Sequence, residues 1–413
     1  VLTDPVPPGA PGPGPRSGGA SARSEKPPTV LIVSAGMGAG HDTVAGELAR
    51  RARERGWRPR TVDVLRLLPY GLGGGLRRFY QASVRHAPWT YAALYRGFMR
   101  EGPGRRPSGV PLARLAGERL LRCVERSDAD VVVPVFHLAA QLTGHLRERG
   151  ALEVPSAVFL LDFAVHRQWL HPGNDAYLCV SEEAARRVRE ATGTRAWVTG
   201  PVVAPEFTRA GAGGPGGDAG AVRWRERFER FAPGRPPVLL SAGAWGALNR
   251  PAETARLLAA AGWLPVVLCG RNTRLFHTLA GEPDVLPLGW TPDMPALLAA
   301  CHALIDNAAG QTAVQALAAG LPVIGHRPLP GHGAEGVGEM AALGLTRYAP
   351  DAHALLAALT ALAPDTPAGR EAVARGRALF TGVPDAMDCV AELAGRRPGR
   401  FSRTSRPGPS PAG

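Results

Sequence analysis

The chain has 413 residues, 45% of them hydrophobic, which is enough for a sizeable core and suits two domains better than one. Its formal net charge of +13 is almost all arginine, Lys26 being the single lysine. Excess arginine, alanine, glycine and proline is what a high-GC genome produces, and the rest of the charge favours anionic partners such as sugar nucleotides, anionic lipid surfaces or nucleic acid. No apolar run reaches the roughly 18–20 residues of a membrane span. Cys123, Cys179, Cys269, Cys301 and Cys389 form no CxxC pair, so they read as core thiols of a reducing cytoplasm rather than disulfides or metal ligands.

Residues 1–28 are rich in proline and glycine and lack an apolar centre, so they read as a disordered tail and not a signal peptide. "TVLIVSA" (29–35) is then a strand ended by glycines, residues 42–55 an amphipathic helix, and "RTVDVL" a second strand. "ADVVVPVF" (129–136) and "PSAVFLLDF" (155–163) are continuous apolar runs of the kind found in sheets buried on both faces. "DAYLCVS" (175–181) precedes the helix "EEAARRVREATG". Strands joined by helices of this length imply a parallel, doubly wound α/β sheet. A glycine-rich stretch within 205–235 reads as an interdomain linker. The pattern restarts with "PPVLLSAGAWG" (236–246), "LPVVLCG" (264–270), "DVLPLG" (284–289), "HALIDN" (302–307) and "LPVIGH" (321–326). Two α/β halves are therefore expected, 29–204 and 236–396, before a basic disordered tail at 397–413. A return of the last helix of the second half to the first is compatible with this pattern.

Residues 76–100 differ in texture, mixing Phe79, Tyr80, Trp89, Tyr91, Tyr95 and Phe98 with Arg77, Arg78, Arg85, Arg96 and Arg100. Rings beside guanidiniums suit a membrane interface; a partly buried helical pair with a solvated arginine face reads equally well.

The chemistry-bearing stretches are glycine turns. In "SAGMGAGHDT" the glycines at 36, 38 and 40 are expected to take positive φ and admit a ligand to the backbone, at the start of a helix whose N–H groups face that ligand. The spacing is Gly-x-Gly-x-Gly-His, not Gly-x-Gly-x-x-Gly, although Asp63 in the second strand keeps dinucleotide binding open. No Gly-Lys-Ser/Thr follows, so it is not a phosphate-binding P-loop. His41 falls in the first helical turn, where the helix dipole favours neutral imidazole able to accept a proton; a capping role is the plainer alternative. "LSAGAWGALNR" (240–250) repeats the backbone logic, with Ser241 and Gly243. In "DNAAGQTAVQALAAG", Gly310, Gln311 and Thr312 open a helix that can hold a diphosphate, and Gln315 lies one turn on, within reach of a ribose.

In order, "SAGMGAGH", "DVLRLLPYGLGGGLRRFY", "HAPWTYAALYR", "DADVVVPVFHLAAQL", "LDFAVHRQWLHPGNDAYLCVSEEA" and "VTGPVV" resemble the N-terminal domain of monogalactosyldiacylglycerol synthases. "LGWTPDMPALLAACHALIDNAAGQTAVQALAAGLPVI" is similar to the matching C-terminal half, shared with the peptidoglycan N-acetylglucosaminyltransferase. The resemblance covers roughly residues 29–350 and rests on the ordered combination. It implies a GT-B fold, with two Rossmann-like domains facing a cleft. It also implies a nucleotide-diphosphate sugar donor, a UDP-hexose, on the C-terminal side, inversion at the anomeric carbon, and no metal or cofactor.

By the same resemblance His41 activates the acceptor or places the diphosphate, and Gly38 and Gly40 border the acceptor. His137 takes the place of the family's acceptor-side histidine, with Leu138 where proline is usual. Asp162, His166, Trp169 and His171 match the segment beside the cleft. Gly289, Trp290 and Met294 match the loop that faces the base, and Gly310 and Thr312 the diphosphate turn. Two departures concern the donor: Gln315 stands where glutamate is usual, and "PGHGAEG" (330–336) carries His332 in place of glutamine and Gly333 in place of the acidic residue, with Glu335 two positions later. His41 and Asp162 are the expected catalytic pair, and His332 and Glu335 the expected sugar contacts.

The leading expectation is a hexosyltransferase, peripheral on the inner face of the cell membrane, acting on a lipid such as diacylglycerol. The alternatives are transfer to a soluble secondary metabolite, a sugar-nucleotide epimerase, for which no carboxylate set for proton abstraction stands out, and a degenerate sugar-nucleotide-binding protein. Nucleic acid is not an expected partner, because the arginines follow no recognised motif.

Overall fold

The computed structural model describes residues 26–86, 89, 93, 95–99, 109–210, 219–241 and 250–395, with the side chains of 84–86 not included. The tail readings, Gly243, Tyr91, Arg100 and the Arg85 side chain therefore lie outside the described residues.

In the N-terminal half, β1 (Thr29–Ser34) sits between β2 (Arg58–Asp63) and β3 (Val131–Pro134), all parallel. β4 (Ala157–Leu160), β5 (Ala176–Cys179) and β6 (Arg195–Val198) form a second parallel ladder. A parallel bridge between Val132 and Ser156 joins the two sets. β1, β3, β4 and β5 are buried throughout, as their unbroken apolar runs require. β2 is an edge strand, half exposed, and ends early. Asp63 accepts the Leu65 N–H at 2.9 Å and caps a short helix, Val64–Leu67, where the strand was expected to run on to Leu65. Asp63 also lies 3.8 Å from the Arg77 guanidinium, so it has structural work at this corner and is not set out as a ribose ligand.

The C-terminal half is one six-stranded parallel sheet in the order β12-β11-β10-β7-β8-β9. Its members are β7 (Pro237–Ser241), β8 (Leu264–Leu268), β9 (Leu286–Leu288), β10 (Ala303–Asp306), β11 (Val323–His326) and β12 (Arg347–Ala349). β6 and β12, short and partly exposed, carry little hydrophobic signal and were not expected from the sequence.

The 205–235 stretch differs from the expected linker. Pro205–Ala210 and Ala219–Phe231 are helices, and Phe207, Ala221 and Phe228 are buried in the core of the second half. Phe163, Val180 and Val203 of the first half join the same cluster, so one apolar seam connects the two halves. The final helix, Ala386–Gly395, does return: Met387, Cys389 and Val390 pack with Val30, Ile32 and Val133 under the first sheet. Each fully buried side chain of this size contributes roughly 1.5–3 kcal/mol. Arg51–Asp385 at 2.8 Å and Arg55–Asp388 at 2.7 Å fasten that return at the surface. Among the described residues no helix is long and apolar enough to cross a membrane.

Candidate active site between two helix N-termini

The C-terminal end of β1 leads into the Ala39–Glu54 helix, and that of β10 into the Gln311–Ala318 helix. The two helices start face to face: a Cβ added to Gly40 would lie 3.5 Å from Cβ of Gln311. Neither helix start is capped by a side chain, so their first N–H groups remain for a ligand. Between them opens a cavity of about 310 Å³ lined from the first half by Gly40, Thr43 and Tyr80. Ser241, Trp290, Met294, Gly310, Gln311, Thr312 and Gln315, all expected on the donor side, line it from the second half, as does Gly289. Gln311 offers only its backbone, because its side-chain amide donates to the Val202 carbonyl at 2.9 Å. The Arg271 guanidinium lies 4.9 Å above the exposed Trp290 ring.

The opening turn is built differently from expectation. Gly36, Gly38 and Gly40 are not among the residues of positive φ, and Gly38 is extended at φ −170°. What Gly36 provides is room: a Cβ there would meet the Arg77 guanidinium at 1.9 Å, and Arg77 Nε donates to its carbonyl. Arg77 comes from the Leu72–His86 helix, so the arginine-aromatic segment clamps the turn.

A cluster of ionisable groups lies beside the cavity. His41 Nδ1–H donates to the Val135 carbonyl at 2.8 Å, which leaves Nε2 with its lone pair. Burial pushes its pKa down, and the protonated form of His332 adds to this, against the raising effects of Asp162, the Val135 contact and Asp42. The His137 ring packs on Phe136 and meets His166 edge-on at 5.2 Å. Burial, then His166 and His41, hold it well below its ordinary pKa. Burial also drives His166 down to about 3, with His332 next in effect.

Asp162 and His332 behave oppositely. Burial works against the Asp162 carboxylate, but His332 at 3.3 Å, with His41 and His166 nearby, outweighs it and holds the carboxyl well below its usual range. Burial works against charge on His332 as well, yet Asp162 and Glu335 raise its pKa. Fully buried Trp169 donates Nε1–H to the other Asp162 oxygen at 2.8 Å and fixes the carboxylate plane.

His332 opens the His332–Ala342 helix, and Glu335 and Glu339 follow on the same helical face. All three reach the first half: His332 to Asp162, Glu335 to the Tyr95 hydroxyl at 2.5 Å, and Glu339 to Arg187 at 2.6 Å. Neither His332 nor Glu335 is among the residues that line the 310 Å³ cavity. Gly331 precedes them at φ +87°, and a Cβ there would meet the Tyr95 ring at 3.0 Å, so both conformation and space require glycine. His171 lies apart from the cluster, buried, its N–H donating to the Tyr177 hydroxyl at 2.8 Å.

Several residues of the site escaped the sequence reading. Tyr80 and Tyr95 come from the segment read either as a membrane interface or as a partly buried helical pair, and their inward placement fits the second reading. Tyr80 lines the cavity and Tyr95, 1% exposed, packs against His166 and His332. Asp306 accepts the Ala308 and Ala309 N–H groups at 2.9 and 2.6 Å and shapes the turn before Gly310. Burial raises its pKa despite those donors. An Asp-Asn pair at a strand end is a turn signal and was available; nothing local marks Tyr95 as inward-facing.

This architecture has known counterparts. A glycotransferase of kitacinnamycin superposes with a TM-score of 0.58 at 16% identity, covering 89% of this chain and all of its own. MurG of Acinetobacter baumannii gives 0.52 at 14% identity, covering 90% and 100%. The fold is GT-B. Residues 41–203 match the family model of monogalactosyldiacylglycerol (MGDG) synthase. The processive diacylglycerol beta-glucosyltransferase of Bacillus subtilis (strain 168) is 25% identical over 312 residues, which is 73% of this chain and 78% of that protein. Its counterpart from Bacillus thuringiensis (strain Al Hakam) is 25% identical over 340 residues, 74% and 78%. The family match and these relatives agree with the resemblance read from the motifs, and the GT-B cleft runs between the Ala39 and Gln311 helix starts.

Proposed function

We propose that the protein is an inverting hexosyltransferase that moves a sugar from a nucleotide diphosphate donor, a UDP-hexose, to the hydroxyl of a lipid such as diacylglycerol. The observation that carries this reading is the pair of uncapped helix N-termini facing one cavity lined by the expected donor residues. The similarity to diacylglycerol glucosyltransferases supports the acceptor class.

The mechanism follows from the side chains. The diphosphate lies against the N–H groups at Gly310–Thr312 and at Gly40, and their fixed dipoles stabilise the leaving group's charge. Trp290 and Met294 border the base, and Gln315 reaches the ribose. The acceptor hydroxyl enters from the His137, His166 and Trp169 side. Asp162, held ionised, or the His41 Nε2 lone pair takes its proton as the oxygen attacks the anomeric carbon, and the C–O bond to the diphosphate breaks. Such proton removal typically contributes about 10²–10⁴-fold. The step needs no metal.

Tyr70, Leu72, Phe79, Trp89 and Phe98 are exposed on the N-terminal half, and together with the arginine excess they suit peripheral binding to the anionic inner face of a cell membrane.

Incubation with a panel of UDP-hexoses and diacylglycerol vesicles is the test. Expected are UDP release and a glycolipid of inverted anomeric configuration, formed also in EDTA. Nucleotide binding without turnover on any donor would replace the enzyme by a binding protein.

A further inference from the structure

Asp162, His166 and His332 each offer one metal-ligating atom, and these atoms all lie within 4.8 Å of one another. His332 Nε2 and Asp162 Oδ1 are 3.3 Å apart. That is close to the separation of neighbouring ligands on a tetrahedral ion with bonds of about 2.0–2.2 Å. The wider separations must contract by at most about 1.5 Å, within the reach of side-chain torsions.

Two further observations point to a ligand. His166 is 4% exposed, and its Nδ1 is buried with no hydrogen-bond partner. An orphaned buried nitrogen is uncommon and requires a cause. The Trp169 Nε1–H on Asp162 Oδ2 holds the carboxylate so that Oδ1 faces the imidazole, as outer partners orient metal ligands. Two imidazoles and a carboxylate suit a borderline-soft ion and not Mg²⁺ or Ca²⁺, which take oxygen.

We propose that Asp162, His166 and His332 form a binding site for a transition-metal ion of the Zn²⁺ class that spans the cleft, with an open position for water or another small ligand. Asp162 and His166 belong to the first half and His332 to the helix of the second, so the ion ties the halves together. His332 is one of the two residues by which "PGHGAEG" departs from the resembled family's motif, and the glutamine usual there supplies no imidazole. The site requires only these side chains and stands whether or not the protein transfers sugar; with the ion bound Asp162 is a ligand and the His41 Nε2 lone pair is left as the proton acceptor, so Asp162 serves as base in the metal-free chain alone.

The other cluster with suitable donors among the described residues is His145, Glu148 and His171. There Arg114 donates to His145 Nε2 at 3.1 Å and Gly173 N–H to His171 Nδ1 at 3.1 Å. A guanidinium beside the ligands repels a cation.

The full chain, stripped with a chelator and desalted, is titrated with Co²⁺. Expected is one ion per chain with visible absorption of the intensity of low-coordinate Co²⁺, abolished by equimolar Zn²⁺, and a rise in melting temperature with Zn²⁺. His332→Gln and His166→Gln each weaken Zn²⁺ binding by more than about 100-fold, since a lost ligand exceeds the 10–100-fold of a lost outer partner. Trp169→Phe weakens it about 10–100-fold. His171→Gln leaves it unchanged. Circular dichroism of the metal-free variants checks folding, and near-isosteric Asp162→Asn replaces any variant that fails it. Absent Co²⁺ absorption, absorption that survives His332→Gln, or absorption lost in His171→Gln would each overturn the proposal.

Discussion

The turn from Ser34 to Asp42 and the turn from Asp306 to Thr312 make the same backbone move: a parallel strand ends and an uncapped helix begins facing the cleft. Their surroundings differ. Around the first gather His41, His137, Asp162 and His166, with His332 arriving from the other half. Around the second stand Gly310, Thr312, Gln315 and Asn307, none of them charged, and Asp306 is consumed in shaping the turn. Two similar uncapped helix starts thus stand in different chemical settings. One side carries groups that can move a proton, and the other carries groups that can only hold.

Breaking the proton-moving side alone is the sharpest test of that division. Asp162→Asn keeps shape and removes charge, so the rate should fall by about 10²–10⁴-fold while calorimetric nucleotide affinity stays within a few-fold. An equal loss of both would end the division. His41→Ala should lower the rate by about 10²-fold, again with nucleotide affinity held; an unchanged rate removes His41 from the chemistry.

On the holding side, Gln315→Ala should raise KM for the donor by roughly fivefold, the worth of one hydrogen bond of about 1 kcal/mol, at constant kcat. A fall in kcat instead would mean that this side also shapes the transition state.

The histidines also set a stability profile. His41 and His137 have folded pKa values below their unfolded ones. Below pH 6.5 the unfolded chain therefore binds protons that the folded chain refuses, and stability is lost as pH falls. Each unit of difference corresponds to about 1.4 kcal/mol. Melting temperature, measured in EDTA, should decline from pH 7 to pH 5, and more gently in His137→Gln. A flat profile would mean these rings are solvated. The smallest effect belongs to the surface: Phe79→Ser with Trp89→Ser should weaken flotation with anionic vesicles and leave turnover on a detergent-solubilised acceptor unchanged.

Much of the division was legible in residue order. Unbroken apolar runs such as "ADVVVPVF" mark strands buried on both faces, and glycine turns followed by amphipathic helices mark where each sheet points its ligand-binding end. Those signals are local, and they placed His41, Gly310 and Thr312 at helix starts and Gln315 one turn on, as the structure has them. Weak signals failed: β6 and β12 are short and partly exposed, and Ala219–Phe231 follows a glycine-rich run that masks its helical period. The aromatic and arginine pattern of 76–100 left a membrane interface and a partly buried helical pair equally open, and the structure divides them: Phe79 faces solvent while Tyr80 lines the cavity and Tyr95 is buried.

The sequence by itself determined the doubly wound halves, the two uncapped turns and the residue types available to them, because periodicity and glycine placement act over a few residues. Only the tertiary structure decided which ionisable groups meet. Asp162 and His332 are 170 positions apart, and it is the packing of the His332–Ala342 helix against the first half that brings them to 3.3 Å. The pKa of each depends on that approach and on burial, neither of which has any trace in the local sequence.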